Sequence, residues 1–561
     1  MKIHISRIFF LLLLWSPSLL YAHSGDSLSL RVPFDFPLLL SGNFGELRSN
    51  HFHAGLDFKT QGAVGKPIYS PADGYISRAT VSSGGYGRAV YVTHSNGYMT
   101  VYGHLDRFLP AIARKIAQVQ YADEAFAVDV KFSPDEFPVS KGDIVAYSGN
   151  SGYSFGPHLH FEVRTADSDT LVNPMLFYKK NLSDDVAPVA HSVMFSPRCG
   201  MGMVNGASHP YVAKTSGTTL RDTVTAWGHI GLSVKADDYM SGTHNRYGLY
   251  TIELYVDDSL RFSSRMDGYA MADTRLVNAW AEYDRYHNTG EWFLRSYILD
   301  NNPLPLLSAD RNRGWVNIDE QRLYKVEYRL GDYHGNVSNY LFHVQGVEGA
   351  LPQHAIATEN YLPWYMSHEI FHERMYLEIP RGELFQNIFL QISEEDAPDA
   401  VSPRYKMDVH PLRNKARLSI YVSDTLSISP EKYYMRRITR KGASSVGGLY
   451  LNGKVTASIR VLGSYDVAVD TIAPRVKPHN EKRWEQSGVL SFAISDKGSG
   501  IKNFKGTIDG KFVLVEYNGM RGRLTCNTKK AKIAPGKHKF QLTVTDNCGN
   551  TTVFDKVVRC R

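Results

Sequence analysis

Two short stretches of this chain concentrate groups that bind metals and move protons. His53-Ala54-Gly55-Leu56-Asp57 and Gly156-Pro157-His158-Leu159-His160-Phe161-Glu162 offer three imidazoles and the carboxylate of Asp57. Between them, Tyr102-Gly103-His104-Leu105 supplies a further imidazole. Zinc takes nitrogen and oxygen ligands in a tetrahedron, and a catalytic zinc keeps one position open for water. Two histidines and one aspartate fill three positions and leave that one free. The other two histidines can then move protons and steady developing charge. These residue types point to metal-assisted hydrolysis.

The elements that must position these groups are strands and turns. His158 and His160 are spaced i, i+2, which on a strand puts both rings on one face. The alternating Phe161-Glu162-Val163-Arg164 that follows supports a strand. His53 and Asp57 are spaced i, i+4 and would share a face of a helix. Gly55 and the neighbouring strand signals favour a turn into a strand instead, so the fold must bring that pair together. His104 closes a strand. Taken singly, each motif also reads as ordinary surface or structural histidine. His51 and His94 lie close by and are read as bystanders, His51 because it would break the spacing to Asp57. The order of the motifs carries the signal.

In that order the region resembles the lysostaphin-type, or LytM-domain, zinc endopeptidases of bacterial cell walls. The matching residues run from Gly42-Asn43-Phe44-Gly45-Glu46-Leu47-Arg48 through Pro71-Ala72-Asp73-Gly74 and Gly85-Tyr86-Gly87 to Lys141-Gly142-Asp143, Gly149-Asn150-Ser151-Gly152 and Asn173-Pro174. They cover roughly residues 40–177. The resemblance implies a compact, mostly antiparallel β domain of the duplicated-hybrid-motif type. It implies Zn2+ held by His53, Asp57 and His160, with His104 and His158 as catalytic histidines. It also implies peptidoglycan stem or cross-bridge peptides as substrate. The chain departs from the compact pattern between Phe108 and Val139, where the connection is longer. That segment includes a helix-compatible run, Leu109 to Tyr121, and is expected to wall the groove.

A second metal-like pattern occurs downstream. His368-Glu369-Ile370-Phe371-His372 fits the zincin motif, which needs a helix so that both histidines share a face. The surroundings, Met375-Tyr376-Leu377-Glu378-Ile379-Pro380, read as strand, so this match is taken as chance.

The 561-residue chain is globular in composition, with 21% charged and 12% aromatic residues. It is too long for one core. Lys2, Arg7 and the apolar run Ile8 to Trp15, ending at Leu20-Tyr21-Ala22, read as a secretory signal over residues 1–22. No later stretch is apolar and long enough to span a bilayer. The formal charge is +7, or 7 − 2 = +5 without Lys2 and Arg7. No basic-aromatic cluster suggests nucleic acid. Export permits disulfides, and a local pair is expected among Cys526, Cys548 and Cys560, with Cys199 apart.

Beyond Asn181 an internal repeat appears. Asp184-Asp185-Val186-Ala187-Pro188 matches Asp470-Thr471-Ile472-Ala473-Pro474. Asp238-Tyr239-Met240-Ser241-Gly242 matches Asp496-Lys497-Gly498-Ser499-Gly500, and Asp332-Tyr333-His334-Gly335-Asn336 matches Asp546-Asn547-Cys548-Gly549-Asn550. The expected organisation is a zinc peptidase domain over 27–180, immunoglobulin-like β-sandwiches over 184–346 and 469–561, and a further β-rich domain over 347–468. The β modules read as separable from the chemistry, so a chain ending near Phe177 to Lys180 is expected to remain active. The reading is an exported zinc metalloendopeptidase of the cell envelope. Its rivals are a catalytically silent regulator that recruits other wall hydrolases, and a wall-binding protein. The presence of all five site positions favours the enzyme.

Overall fold

The computed structural model describes residues 30–351, 361–422 and 428–561. The secretory-signal reading of residues 1–22 lies outside them. The fold is mostly β, as expected. In the N-terminal region, alternation of apolar and polar residues sets eight strands. These are β1 (Leu40–Gly42), β2 (Leu56–Lys59), β3 (Gly74–Val81), β4 (Arg88–His94), β5 (Tyr98–Gly103), β6 (Val128–Lys131), β7 (His158–Thr165) and β8 (Thr170–Val172). They form one antiparallel sheet in the order β1-β2-β7-β5-β4-β3-β6, with β8 beside β7.

Central β7 shows why this sheet carries a site. Leu159, Phe161 and Val163 point to one face and are fully buried in the core. His158, His160, Glu162 and Arg164 occupy the other face, and the last three are buried as well. Buried polar groups on a central strand must be paired, so this face is committed to a polar network. Gly55 lets the chain cross it closely: a Cβ there would lie 2.1 Å from the Phe161 carbonyl oxygen.

The longer connection forms α1 (Pro110–Ala122) and β6. β6 lies at the far edge of the sheet, four strands from β7, a spacing of roughly 19 Å. Its neighbours are in the C-terminal module: Tyr121 meets Phe512 and Phe126 meets Phe504, with ring centroids 5.5 and 6.4 Å apart. The expectation that this segment walls the site is therefore corrected. Tyr121 and Phe126 seat the C-terminal module, while Ile112, Ile116 and Phe132 pack into the N-terminal core.

Residues 189–346 form an eleven-stranded sheet. One excursion from them, β9 (Gly268–Ala270), pairs with β8 and extends the N-terminal sheet. Tyr269 of β9 packs on Phe44 and Phe52 at 5.3 and 5.2 Å. A single apolar core runs from Leu30 to Val344 with no break near residue 180. Residues 361–469 form two five-stranded sheets around Leu377, Leu418 and Tyr465, plus a short pair. Residues 475–560 form two four-stranded sheets around Phe492, Leu524 and Phe540.

The repeated turns fold alike. The Asp332 amide donates to the Asn336 carbonyl at 3.1 Å, and the Asp546 amide to the Asn550 carbonyl at 3.1 Å. Asn336 and Asn550 each return their side-chain amide to that aspartate, at 2.7 and 2.8 Å. All four cysteines are free thiols, so the expected local pair is not formed. Cys526 and Cys560 serve as small apolar core residues, and the Cys548 thiol is directed to the Lys432 carbonyl at 3.5 Å.

Candidate active site

Register builds the site. His160 on β7 lies directly opposite Asp57 on one neighbour and Gly103 on the other. Asp57 and His160 thus stand at one level, and His104 follows Gly103 just past the end of β5. His53 arrives from a two-stranded hairpin, Leu47–Arg48 with His51–Phe52. Its amide donates to the Glu46 carbonyl at 2.8 Å.

The five expected residues are brought together. His53 Nε2, Asp57 Oδ1 and His160 Nδ1 are mutually 3.0 Å apart. His158 Nε2 lies 3.6 Å from the same Asp57 oxygen. The His104 and His158 rings are 4.7 Å apart, and His104 is 5.8 Å from His160.

The outer hydrogen bonds decide what these nitrogens present. His53 Nδ1 faces the Asn43 carbonyl at 2.6 Å, so it carries the proton and donates. His160 Nε2 donates likewise to Glu162 Oε1 at 2.8 Å. His158 Nδ1 donates to the Gly156 carbonyl at 2.8 Å, and His104 Nδ1 to the Ser151 carbonyl at 2.9 Å. Each imidazole is pinned through one nitrogen, the usual way a protein orients metal-ligating histidines. In the neutral rings the other nitrogen carries a lone pair. Two such lone pairs and one carboxylate oxygen within 3.0 Å of one another need a cation between them. The donor set suits a borderline metal such as zinc.

Proton affinities agree. Burial alone would lower His160, but hydrogen bonds to Asp57 and Glu162 outweigh it and raise it to about 9. Without a metal, a proton takes the cation's place there. Burial opposes ionisation of Asp57, yet His53 and His160 hold its carboxyl well below the usual range. Glu162 is held at about 2, its burial outweighed by His160 and Arg164. His104 is driven down to about 3 by burial and then by His160 and His158, and burial also lowers His158. Both stay neutral near pH 7 and can accept a proton.

Four contributors went unassigned in the sequence. Glu162 orients His160 and is itself held by Arg164 Nε at 2.7 Å and by the Tyr86 hydroxyl. Continued alternation beyond His160 was their signal. Asn43 acts through its backbone carbonyl, which no side-chain pattern reveals. His104 has φ +59°, a left-handed conformation unusual for a non-glycine residue and concentrated at functional sites. Among the bystanders, His94 is turned to Asp73 and Thr100, and His51 to the Ser49 carbonyl. His368 and His372 share one five-residue strand, where His368 bonds the Pro363 carbonyl at 2.8 Å.

A buried two-histidine, one-carboxylate centre with two neutral imidazoles beside it defines the class: a β-sheet domain with the centre of a metallohydrolase. Residues 51–123 match Peptidase family M23, and residues 359–470 match the Zu5-like domain. The M23 match thus falls within the N-terminal domain. The matched span holds His53, Asp57 and His104; His158 and His160 lie beyond it. A Haemophilus influenzae protein named uncharacterized metalloprotease is 35% identical over 123 residues, 22% of this chain and 20% of its own. Peptidoglycan DD-endopeptidase ShyA of Vibrio cholerae is 31% identical over 154 residues, 26% of this chain and 29% of its own. The catalytic domain of lysostaphin from Staphylococcus simulans is 26% identical, with 24% of this chain and 89% of that one covered and a TM-score of 0.18. The chain thus spans 20% and 29% of the length of these two curated relatives.

Proposed function

We propose that this chain is an exported zinc metalloendopeptidase that hydrolyses cross-link peptides of peptidoglycan. The observation that carries the reading is the convergence of His53 Nε2, Asp57 Oδ1 and His160 Nδ1, with two neutral histidines alongside. The relatives named peptidoglycan DD-endopeptidase support the substrate.

His53, Asp57 and His160 would hold the zinc. When bound, it supplies Lewis acidity, acidifying a water and polarising a carbonyl. Glu162, Asn43 and the hairpin keep the ligands oriented. His158 Nε2, facing Asp57, is placed to take a proton from water and pass it to the departing amine. His104 Nε2, across from it, presents a lone pair of the same kind, so either ring can take the proton from water and, once protonated, hydrogen-bond the developing oxyanion before passing that proton on. The loop before β7 presents Tyr153 and Phe155, 63% and 81% exposed, on the His158 side. They offer apolar surface to a peptide.

Digestion of defined cross-linked muropeptides, with products identified by mass, tests this. Release of the two uncrosslinked halves with zinc, and none from His104→Ala, supports it. Intact substrate with a zinc-loaded chain contradicts it.

A further inference from the structure

The repeat places a second group of ligating side chains at the seam between the N-terminal domain and the first β module. Asp184, Asp332 and His334 offer ligand atoms within 4.8 Å of one another. The Asp184 side chain is 1% exposed and Asp332 is 4% exposed, so this is not a solvated acidic surface. Asp332 Oδ1 accepts from the amides of Gly335 and Asn336 at 2.7 and 2.8 Å. His334 Nε2 donates to the Leu182 carbonyl at 2.9 Å, which leaves Nδ1 facing Asp184 Oδ2 at 3.8 Å.

An independent observation comes from Asp238, the repeat partner of Asp496. It is 4% exposed, and its Oδ1 has no hydrogen-bond partner. It lines one small cavity with Asp184, Asp332 and His334. That cavity is about 20 Å³, enough for one water-sized occupant. Among the described residues, no lysine or arginine forms an ion pair with any of these aspartates, and His334 Nδ1 is the basic side-chain atom nearest Asp184, at 3.8 Å. Leaving that buried Asp238 oxygen unpaired beside two further carboxylates is costly, and a cation in the cavity would offset it.

We infer that Asp184, Asp332 and His334 bind a divalent cation, distinct from the catalytic centre, with the Asp238 carboxylate facing the same cavity. Two carboxylates and one imidazole, with the Asp238 carboxylate facing the same cavity, suit Mn2+ best, with Ca2+ next on the carboxylates alone. The equivalent cluster in the C-terminal module is already satisfied. Asp470 accepts from the Ser499 amide and hydroxyl, and Asp496 from the amides of Gly498 and Gly500. It needs no ion.

The location gives the ion a role. Leu40, Asn43 and Phe44 line the same cavity. The Asn43 side chain pairs with Gly248 at 2.8 and 2.9 Å, while its carbonyl holds His53. The ion would fasten the module to the segment that orients a catalytic-site ligand.

Neutralisation by a proton is the competing account, because burial, Asp332 and Asp184 push the Asp238 carboxyl up to about 8. The test is ion binding to the full chain near neutral pH, with His160→Ala removing the first site. Chelator-treated protein is titrated separately with Mn2+, Ca2+ and Zn2+, reading bound ion per chain and melting temperature. One ion should bind His160→Ala, raise its melting temperature, and bind at least about 100-fold more weakly once Asp238→Asn is added. Asp496→Asn should leave binding unchanged. In chelator, Asp238→Asn should melt no lower than its parent, which shows that the variant folds. No ion bound by His160→Ala, or equal binding with and without Asp238→Asn, would overturn the site in favour of the proton.

Discussion

The His53–Asp57–His160 corner and the His368–His372 strand contain the same ingredients, two histidines and a carboxylate on antiparallel strands. In the first, the ligands come from different strands. Asp57 and His160 are direct cross-strand partners, and such side chains stand about 5 Å apart. In the second, both histidines lie along one strand, where four residues span about 13 Å. A sheet makes a metal centre across its strands and a helix makes one along its axis. His-Glu-x-x-His has meaning only on the helix. The surroundings differ too: His160 is held by the fully buried Glu162, whereas Phe371, between the downstream pair, is 75% exposed.

Separating the two regions by truncation gives the largest expected effect. A chain ending near Lys180 loses β9 and Tyr269 and uncovers Phe44 and Phe52. Each such side chain is worth about 1.5–3 kcal/mol, against a total stability of about 5–15 kcal/mol for a domain. That chain should fail to fold, contrary to the expectation drawn from the sequence. A chain ending near residue 350 removes the His368–His372 strand and keeps the shared core, so it should keep its zinc. Circular dichroism and metal analysis of both would break the comparison if the shorter chain folded or the longer lost metal.

His104→Ala and His158→Ala come next. Each should keep zinc and lose on the order of 10²–10⁴ in turnover, measured on a cross-linked muropeptide. Near-normal rates from either would remove it from the chemistry. Glu162→Gln should weaken zinc binding by about 10–100-fold, read by competition with a chromogenic chelator. An unchanged affinity would make Glu162 purely structural.

These outcomes bear on what a sequence can convey. That His53, Asp57, His104, His158 and His160 belong together was legible in the order of their motifs and the resemblance that order carries, and the β7 alternation put His158 and His160 on one face; their roles remain the proposal. The shared core was not legible, since alternation tells which face is apolar and not what covers it. Nor was the Asn43 carbonyl, a backbone group, or the edge position of the 108–138 segment, which depends on which strand it pairs with. The Asp-Gly-Asn turns were legible as a repeat, and their hydrogen bonds recur. That one copy leaves Asp238 unpartnered follows only from the packing around it.

A smaller effect is expected from pH. His160 in the metal-free site holds a proton up to about pH 9, and zinc must displace it. As pH falls below that value, the proton competes more strongly. Apparent zinc affinity should fall by about tenfold per pH unit, with one proton released per zinc bound. Calorimetry in buffers of different ionisation enthalpy measures that proton. A pH-independent affinity between pH 6 and pH 8, roughly the working range for His chemistry, would contradict the assigned ring state.

The most direct test of the central claim is the zinc content of three full-length proteins prepared side by side: the parent chain, His160→Ala and His372→Ala. The parent and His372→Ala should carry the same zinc content, and His160→Ala should carry one equivalent less. Zinc lost with His372 and retained without His160 would place the metal on the wrong strand and contradict the account.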